Sequence, residues 1–458
     1  MIRRIGTRFS EFFQAVMPDP FVLAILLTFV VFGLAAAVMG AGPIEILHAW
    51  QGDLGFWSLL RFAMQMVLIL VTGHALASAP PVARLIARLA RVPRTGPGAV
   101  ALVSLCAMGA ALLNWGLGLI LGALLAREVG RSTAARGVRA HYPLLAAAGY
   151  TGLVCWHGGF SGTSAIKMTT SGDVLNFLGA DLATRIGTVP LTQTVLGAEN
   201  LIVTGGLLVL VPLCCALLAP RGDEDIEPPP PEVLRGTDGA APEDDEPPRT
   251  VPEKLERSRV MTLVVVLPLA AAVGLWGTER GFAQLDPNAL NLIFLTTGLL
   301  LHGTLRSYVR ALTDATRGAA GIVLQFPFYA GIMGVMRGTG LAAAMAGVIG
   351  QTTSATGAVL LTVGSAALIN LFVPSGGGQW AVQGPVALQA AARLGMAPET
   401  AVMAVAYGDQ LTNMLQPFWA LPLLAVTGVR ARDIVGFTAV VMLVAAAWIA
   451  LVLAVMTW

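Results

Sequence analysis

The chain has 458 residues, 56% of them hydrophobic and only 12% charged, with a formal net charge of +2. Apolar runs recur from end to end, and several reach the roughly 20 residues that cross a bilayer, which excludes a soluble globular protein and predicts a polytopic membrane protein. A near-neutral balance offers nothing for nucleic acid to bind, and Cys106, Cys155, Cys214 and Cys215 sit in apolar runs at spacings that suit neither zinc nor a disulfide framework.

In chain order, a basic start (Arg3, Arg4, Arg8) leads into run 20–40, which lacks a small-residue cleavage site and reads as a retained first helix. Run 62–79 follows, then the amphipathic, interfacial stretch Arg84–Arg94. Run 97–125 lies between that stretch and a second basic loop, Arg127–His141. Lys and Arg collect in cytoplasmic loops, so two basic flanks mean that the chain returns to the side it entered from. Its 29 residues are too many for one straight span and too few for two spans and a turn. A re-entrant helical hairpin over about 97–126, turning near Asn114-Trp115-Gly116, meets both conditions. Run 143–156 continues into the polar patch "WHGGFSGTS", and run 201–220 closes a first membrane repeat, residues 1–220.

Residues 221–258 hold 12 of the 26 acidic residues and eight prolines, the composition of a solvated cytoplasmic linker. Residues 259–458 then form a connector helix (260–276) and a second membrane repeat, with runs 289–301, 318–336, 357–374, 400–427 and 434–457. Segment 357–394 has the build of the first hairpin. "SAALINLFVPSGGG" and "GAALLNWGLGLILG" both run through small and apolar residues to an Asn and then break. Each is followed by a span with a polar patch, "AAAGYTGLVCWHGGFSGTS" in the first half and "AVAYGDQLTNMLQPF" in the second. Span counting sets the second hairpin on the opposite face, with the N-terminus, the linker and the basic loop Arg306–Arg317 cytoplasmic. The predicted fold is all-α, with two inverted-topology repeats, each holding a re-entrant helical hairpin and a broken transmembrane helix. Paired breaks in opposed repeats point to a secondary transporter's midplane site.

A helix that ends inside a membrane exposes backbone N–H groups at its start, which favour anions, and carbonyls at its end, which favour cations. Pro374 ends one arm of the second hairpin, and Gly376, Gly377 and Gly378 open the next, whose first N–H groups lack helical partners. Ser375 and Gln379 add side-chain hydrogen bonds, so a carboxylate can be held here without a buried Arg or Lys. Asn370 at this break, and Asn114, Gly116, Ser161 and Thr163 at the first, complete the expected substrate site. Asp409 is the one carboxylate set well inside an apolar stretch. With Asn413 and His157 it is the expected ion-coupling group, carrying a proton or ligating Na⁺. His74, His302, Arg61 and Lys167 read as helix-end or snorkelling residues. Phe326, Phe328, Tyr329, Trp380, Phe418 and Trp419 are available to wall a small apolar pocket.

The stretches "MPDPFVLAILLTF", "GFWSLLRFAMQMVLILVTGHALA", "NWGLGLILGALLAREV", "GGFSG", "LQFPFYAGI", "INLFVPSGGGQWAVQGP" and "AYGDQLTNMLQPFWALP" resemble the short-chain fatty acid transporter family (AtoE-like), within the wider ion-transporter superfamily. The resemblance covers nearly the whole chain except the acidic linker. It implies uptake of butyrate- or acetoacetate-type monocarboxylates across a bacterial inner membrane, with paired re-entrant hairpins and often an elevator-like motion. No cofactor is expected beyond a coupling H⁺ or Na⁺. The expected partners are the small carboxylate and the lipid bilayer, and a homodimer by analogy alone.

Other chemistries fare worse. An ATP-driven pump needs a phosphate-binding Lys, but Lys167 and Lys254, the two lysines, lie outside any G-x-x-x-x-G-K-[ST] loop. None of the five histidines precedes a Glu as H-E-x-x-H requires. An intramembrane serine hydrolase built on Ser161 of "GGFSG" leaves the second break unexplained, and a passive anion channel calls for charged rings that this chain lacks.

Overall fold

The apolar runs fold as helices whose ends are set by local chemistry. The computed structural model describes residues 11, 12, 15, 18–220, 226–234, 248, 250–280, 286–316, 319–347, 352, 354–374 and 376–457. Helix α1 (Pro20–Met39) starts at Asp19, whose carboxylate accepts from the Phe21 N–H, and stops at Gly40 with φ of 69°. Next come α2 (Pro43–Gln51), α3 (Leu60–Ser78), α4 (Pro80–Ala90), α5 (Gly96–Leu113), α6 (Trp115–Ala135), α7 (Tyr142–Tyr150), α8 (Thr163–Lys167), α9 (Ser171–Ile186) and α10 (Ala198–Leu218). The short α11 (Pro231–Leu234) and α12 (Val251–Glu256) fall in the acidic stretch. The second half holds α13 (Arg259–Arg280), α14 (Pro287–His302), α15 (Leu305–Thr316), α16 (Ala320–Gly338), α17 (Leu341–Ala346), α18 (Ala355–Asn370), α19 (Gly376–Leu394), α20 (Pro398–Thr412), α21 (Pro417–Thr427) and α22 (Ala431–Met456). No strand occurs among the described residues.

Seven of these helices are long and apolar enough to cross a membrane, α1, α3, α5, α10, α13, α16 and α22. The outer ones turn large apolar side chains away from the protein. Phe29 and Val30 on α1, and Val260, Val264 and Leu267 on α13, are all half or more exposed. An apolar exterior of this extent is unsustainable in water and natural against lipid, so the chain is a multi-pass membrane protein.

The two predicted breaks are both present, each between antiparallel helices. Between α5 and α6 the break is Asn114 alone, with extended φ, ψ of −156° and 131°. The arms touch closely, since a Cβ on Gly118 would lie 2.5 Å from that of Ala111, and one on Gly122 3.0 Å from that of Ala107. The turn is tighter than expected, because Trp115 already opens α6, and α6 runs on to Ala135, past the expected end near 126. Between α18 and α19 the break is residues 371–375, of which Ser375 lies outside the described residues. Here the arms are tied by side chains. Gln379 Nε2 donates to the Ala366 carbonyl at 2.9 Å, and Gln383 Nε2 to the Thr362 carbonyl at 3.2 Å.

Two further helices break where the sequence carries its polar patches. After α7 the chain makes 3₁₀ turns at Thr151–Val154 and Trp156–Gly158 before α8. After α20 it makes one at Asn413–Leu415, with Gln416 extended, before α21. The α5–α6 pair packs on α7 and α21, whereas the α18–α19 pair packs on α20 and α8. Each antiparallel pair therefore meets one arm of each broken helix, and all four breaks converge.

Part of the acidic stretch is docked rather than solvated. The Tyr142 N–H donates to the Glu227 carbonyl at 2.9 Å, the Glu227 N–H donates to His141 Nδ1 at 3.0 Å, and Val233 is 4% exposed in the main core. Burial and the neighbouring Asp433 carboxylate raise the Glu227 carboxyl above the usual carboxylate range, with Arg430 opposing. Residues 221–225, 235–247 and 249 lie outside the described residues.

Candidate functional site

The four breaks bring together side chains from both halves, held by bonds that cross between them. Tyr150, the last residue of α7, donates its hydroxyl to the carbonyls of Asn413 (2.8 Å) and Gln416 (3.0 Å) in the break after α20. In return, Gln410 Oε1 accepts from the His157 N–H at 3.1 Å in the break after α7. Backbone groups that a broken helix leaves unpaired are thus satisfied by the other broken helix.

Asn370, at the end of α18, is fully buried. Its Nδ2 lies within bonding distance of three acceptors, the Asp409 carbonyl (2.6 Å), Asn413 Oδ1 (2.9 Å) and Thr412 Oγ1 (3.1 Å), and its own carbonyl accepts from Gln416 Nε2. Asp409 is 2% exposed, and its Oδ1 lies 3.3 Å from Nε2 of the wholly buried His157. That is an ion-pair separation whose angle falls short of an aligned hydrogen bond, since both His157 ring nitrogens lack a hydrogen-bond partner. Helix α20 packs closely on α18 because residue 408 is Gly, where a Cβ would lie 2.3 Å from the Val363 carbonyl.

The two helix starts differ. At α6, Asn114 Oδ1 accepts from the N–H groups of Gly116 (2.9 Å) and Leu117 (3.2 Å), and Ser161 Oγ accepts from the Trp115 N–H (3.0 Å). Asn114 and Ser161 therefore cap this helix. Gly116 packs toward Leu290 and Ile69, away from the other breaks. At α19, the Gly376 and Gly377 N–H groups have no partner among the described residues. Gly376 faces the first half directly, because a Cβ there would lie 2.8 Å from Thr163 Oγ1 and 3.3 Å from His157 Cε1. Gly378 follows in the same turn, and Gln379 is fully buried beneath them.

The expected residues His157, Thr163, Asn370, Gly376, Gly377, Gln379, Asp409 and Asn413 thus share one region, with Asn114 and Ser161 behind it as caps. Buried polar atoms without a partner among the described residues gather in the same place: His157 Nδ1, Asn370 Oδ1, Gln379 Oε1, Gln410 Nε2, Asn413 Nδ2 and Gln416 Oε1. Leaving such an atom unpaired costs about 1–3 kcal/mol, so both donors and acceptors here are disposed to bond a ligand. No group of three metal-ligating side chains occurs among the described residues.

Aromatic rings line one side. Phe326 stacks on Phe418 at 4.3 Å, Phe418 meets Tyr329 at 4.9 Å and Trp419 at 5.1 Å, and Trp419 meets Trp115 at 5.2 Å. Trp156 continues the wall toward His157, their ring centroids 3.7 Å apart. Two expected members lie elsewhere: Phe328 packs on Phe21 and Phe56, and Trp380 joins a separate core with Met168 and Val402.

The remaining candidates sit at helix ends or edges. Arg61 is exposed at the start of α3, Lys167 pairs with Asp173 at 3.2 Å, and His302 closes α14 with ring nitrogens on Ser307 and the Ala75 carbonyl. His74 lies within α3, beside a cleft described below. Sequence reasoning missed Tyr150, Gln416 and Asn200, whose Nδ2 donates to the Gly158 carbonyl at 2.9 Å. Tyr150 was detectable as the polar residue at the edge of its break. Asn200 gave no signal, because its partner lies 42 residues away.

The family model described as short chain fatty acid transporter matches residues 1–456. Two curated relatives carry the name "Putative short-chain fatty acid transporter". That of Escherichia coli (strain K12) is 39% identical over 95% of this chain and 96% of its own. That of Haemophilus influenzae (strain ATCC 51907 / DSM 11121 / KW20 / Rd) is 37% identical over 95% and 96%. Among solved structures, the YdaH transporter of Alcanivorax borkumensis aligns at 18% identity with a TM-score of 0.43, covering 96% of this chain and 98% of that one. MtrF of Neisseria gonorrhoeae aligns at 15% identity with a TM-score of 0.42, covering 97% of each chain. The chain belongs to the short-chain fatty acid transporter family.

Proposed function

We propose that the protein is a secondary active transporter that takes up short-chain monocarboxylates of the butyrate or acetoacetate type across a bacterial inner membrane, coupled to H⁺ or Na⁺. The observation that carries the reading is the cluster of buried, unpartnered polar atoms where both broken helices meet both antiparallel pairs. In this reading the pairs are re-entrant hairpins, and the halves are inverted repeats with the N-terminus and acidic linker cytoplasmic.

The substrate carboxylate takes the Gly376 and Gly377 N–H groups, the Thr163 hydroxyl and the Asn413 amide. These are neutral donors, aided by the positive end of the α19 dipole. Ser375, Gly378 and Gln379 belong to the same tip. The short alkyl tail lies on the wall of Trp115, Trp156, Phe418 and Trp419. Asn114, Gly116 and Ser161 shape the opposite tip. The coupling ion binds at Asp409 with Asn413 and His157, either as a proton shared by the Asp409–His157 pair or as Na⁺ on Asp409 and nearby carbonyls. A monovalent anion travelling with one cation adds no net charge, which lowers the cost of carrying the loaded site through hydrocarbon.

Proteoliposomes loaded with labelled butyrate or acetoacetate outside, under a pH gradient or a Na⁺ gradient imposed separately, test this. Accumulation above equilibrium under one of the gradients is expected. Flux that only equilibrates under both would make the protein a passive anion pathway, and no flux of either acid would remove the substrate class.

A further inference from the structure

The end of α6 remote from Asn114 lines a cleft with α3 and α4. It consists of two adjoining cavities, of about 410 Å³ and about 320 Å³, that share Ala87, Glu128 and Arg131. Arg84, Arg91, Arg127, Arg131 and Arg136 line them, and Glu128 is their one acidic side chain. Three of these cations already have protein partners, Arg84 through its Nε, which donates to the Pro80 carbonyl at 3.1 Å. Arg131 makes a two-point ion pair with Glu128, at 2.7 and 3.0 Å. Arg136 donates to the carbonyls of Ala90, Arg91 and Pro93, clamping the end of α4 to α6. Arg84, Arg91 and Arg127 have no carboxylate partner among the described residues.

Like charges gathered in a cleft repel one another unless an anion joins them, and planar guanidinium forks match the oxygens of a phosphate. Leu85 and Val92, which follow Arg84 and Arg91 in the chain, do not line the cavities but are 56% and 62% exposed on the outer face of α4 and just past its end. Uncompensated cations inside and aliphatic side chains outside match an amphiphile. We propose that this cleft binds the phosphate headgroup of an anionic lipid, with its acyl chains along α4. The headgroup would pin α4 to α6, and so steady the helix whose other end is capped by Asn114 at the site. Free phosphate shares the headgroup chemistry but makes no use of that apolar face.

The test uses the full chain in detergent, with native mass spectrometry counting bound phosphatidylglycerol against phosphatidylcholine of the same acyl chains. Wild type should retain phosphatidylglycerol at least tenfold more strongly, and high salt should erode the difference. Arg91→Gln/Arg127→Gln should abolish the preference while keeping the lipid-free thermal midpoint of wild type. Equal retention of the two lipids by wild type, or an undiminished preference in the double variant, would overturn the proposal. Competition on wild type is a second readout that needs no variant. Inorganic phosphate that displaces phosphatidylglycerol only at large excess supports a lipid site, and phosphate that displaces it at equal concentration makes free phosphate the ligand instead.

Discussion

Replacing Tyr150 by Phe removes one oxygen and leaves the ring in place. That hydroxyl is shared between the carbonyls of Asn413 and Gln416, 263 and 266 residues away, and it links the break after α7 to the break after α20. Losing it leaves two carbonyls in a buried region without their donor, at a cost of about 1–3 kcal/mol. The loss does not stay local, because Asn413 Oδ1 and Gln416 Nε2 both bond Asn370. If the freed energy appears as misalignment of the site, apparent affinity falls by about 5- to 150-fold. The assay is the initial rate of labelled butyrate uptake against concentration in proteoliposomes, with the thermal midpoint measured on the same preparation. KM should rise and the midpoint should fall. Tyr329→Phe is the matched control, since that hydroxyl is buried in the same aromatic cluster and has no partner to lose. Unchanged KM and midpoint in Tyr150→Phe, or equal losses in both variants, would refute the linkage.

Four further outcomes are expected. Asn370→Ala should reduce butyrate uptake at least tenfold while membrane insertion persists, because its Nδ2 is the common donor to Asp409, Thr412 and Asn413; wild-type uptake would show the site to be elsewhere. Asp409→Asn should blunt the response to an imposed pH or Na⁺ gradient more than it changes substrate KM, and an unaltered gradient response would exclude Asp409 as the coupling group. Gly408→Ala should lower the yield of folded protein sharply, since its Cβ would sit 2.3 Å from the Val363 carbonyl and 2.4 Å from the Ala366 Cβ, whereas Gly364→Ala, with nothing within 4 Å, should be silent in the same thermal assay. Deleting 235–247 while keeping the docked 226–234 should leave uptake within about twofold of wild type, and a well-inserted but inactive deletion would give the segment a role beyond tethering.

The breaks themselves were legible in the sequence because Asn-Trp-Gly and Pro-Ser-Gly-Gly-Gly are poor helix material set inside apolar runs, and periodic runs leave few alternatives to helices around them. What each residue does at a break was less legible. Asn114 looks ligand-facing in a list of intramembrane polar groups, but an Asn immediately before a helix is also a good N-cap, and its oxygen is used that way. The bonds that weld the halves run over hundreds of residues and leave no local pattern. Phe328 and Trp380 look like their neighbours in composition, and only the direction of the helix face turns Phe328 to Phe21 and Phe56 and sends Trp380 to a separate core. The docking of 226–234 was hidden by averaging, because the charge of the whole stretch masks Val233 and the His141 contact.

The two tips have the same backbone plan and opposite chemistry. At α6 the first N–H groups are consumed, Trp115 by Ser161 and Gly116 and Leu117 by Asn114. At α19 the N–H groups of Gly376 and Gly377 have no partner among the described residues, and Gly376 packs beside Thr163 and His157 of the other half. Under the proposed function the capped start of α6 would serve as a wall and the open start of α19 as the binding surface. The asymmetry would also separate the two charges of the proposed coupled cycle. In the proposed cycle the anion would lie at the open start of α19 and the cation at Asp409, beside the end of α20, where carbonyls favour positive charge. A Cβ on Gly376 would lie 3.3 Å from His157 Cε1, and His157 Nε2 is 3.3 Å from Asp409 Oδ1. The two binding events would therefore share His157, and loading of one ligand would be felt by the other through a single buried ring.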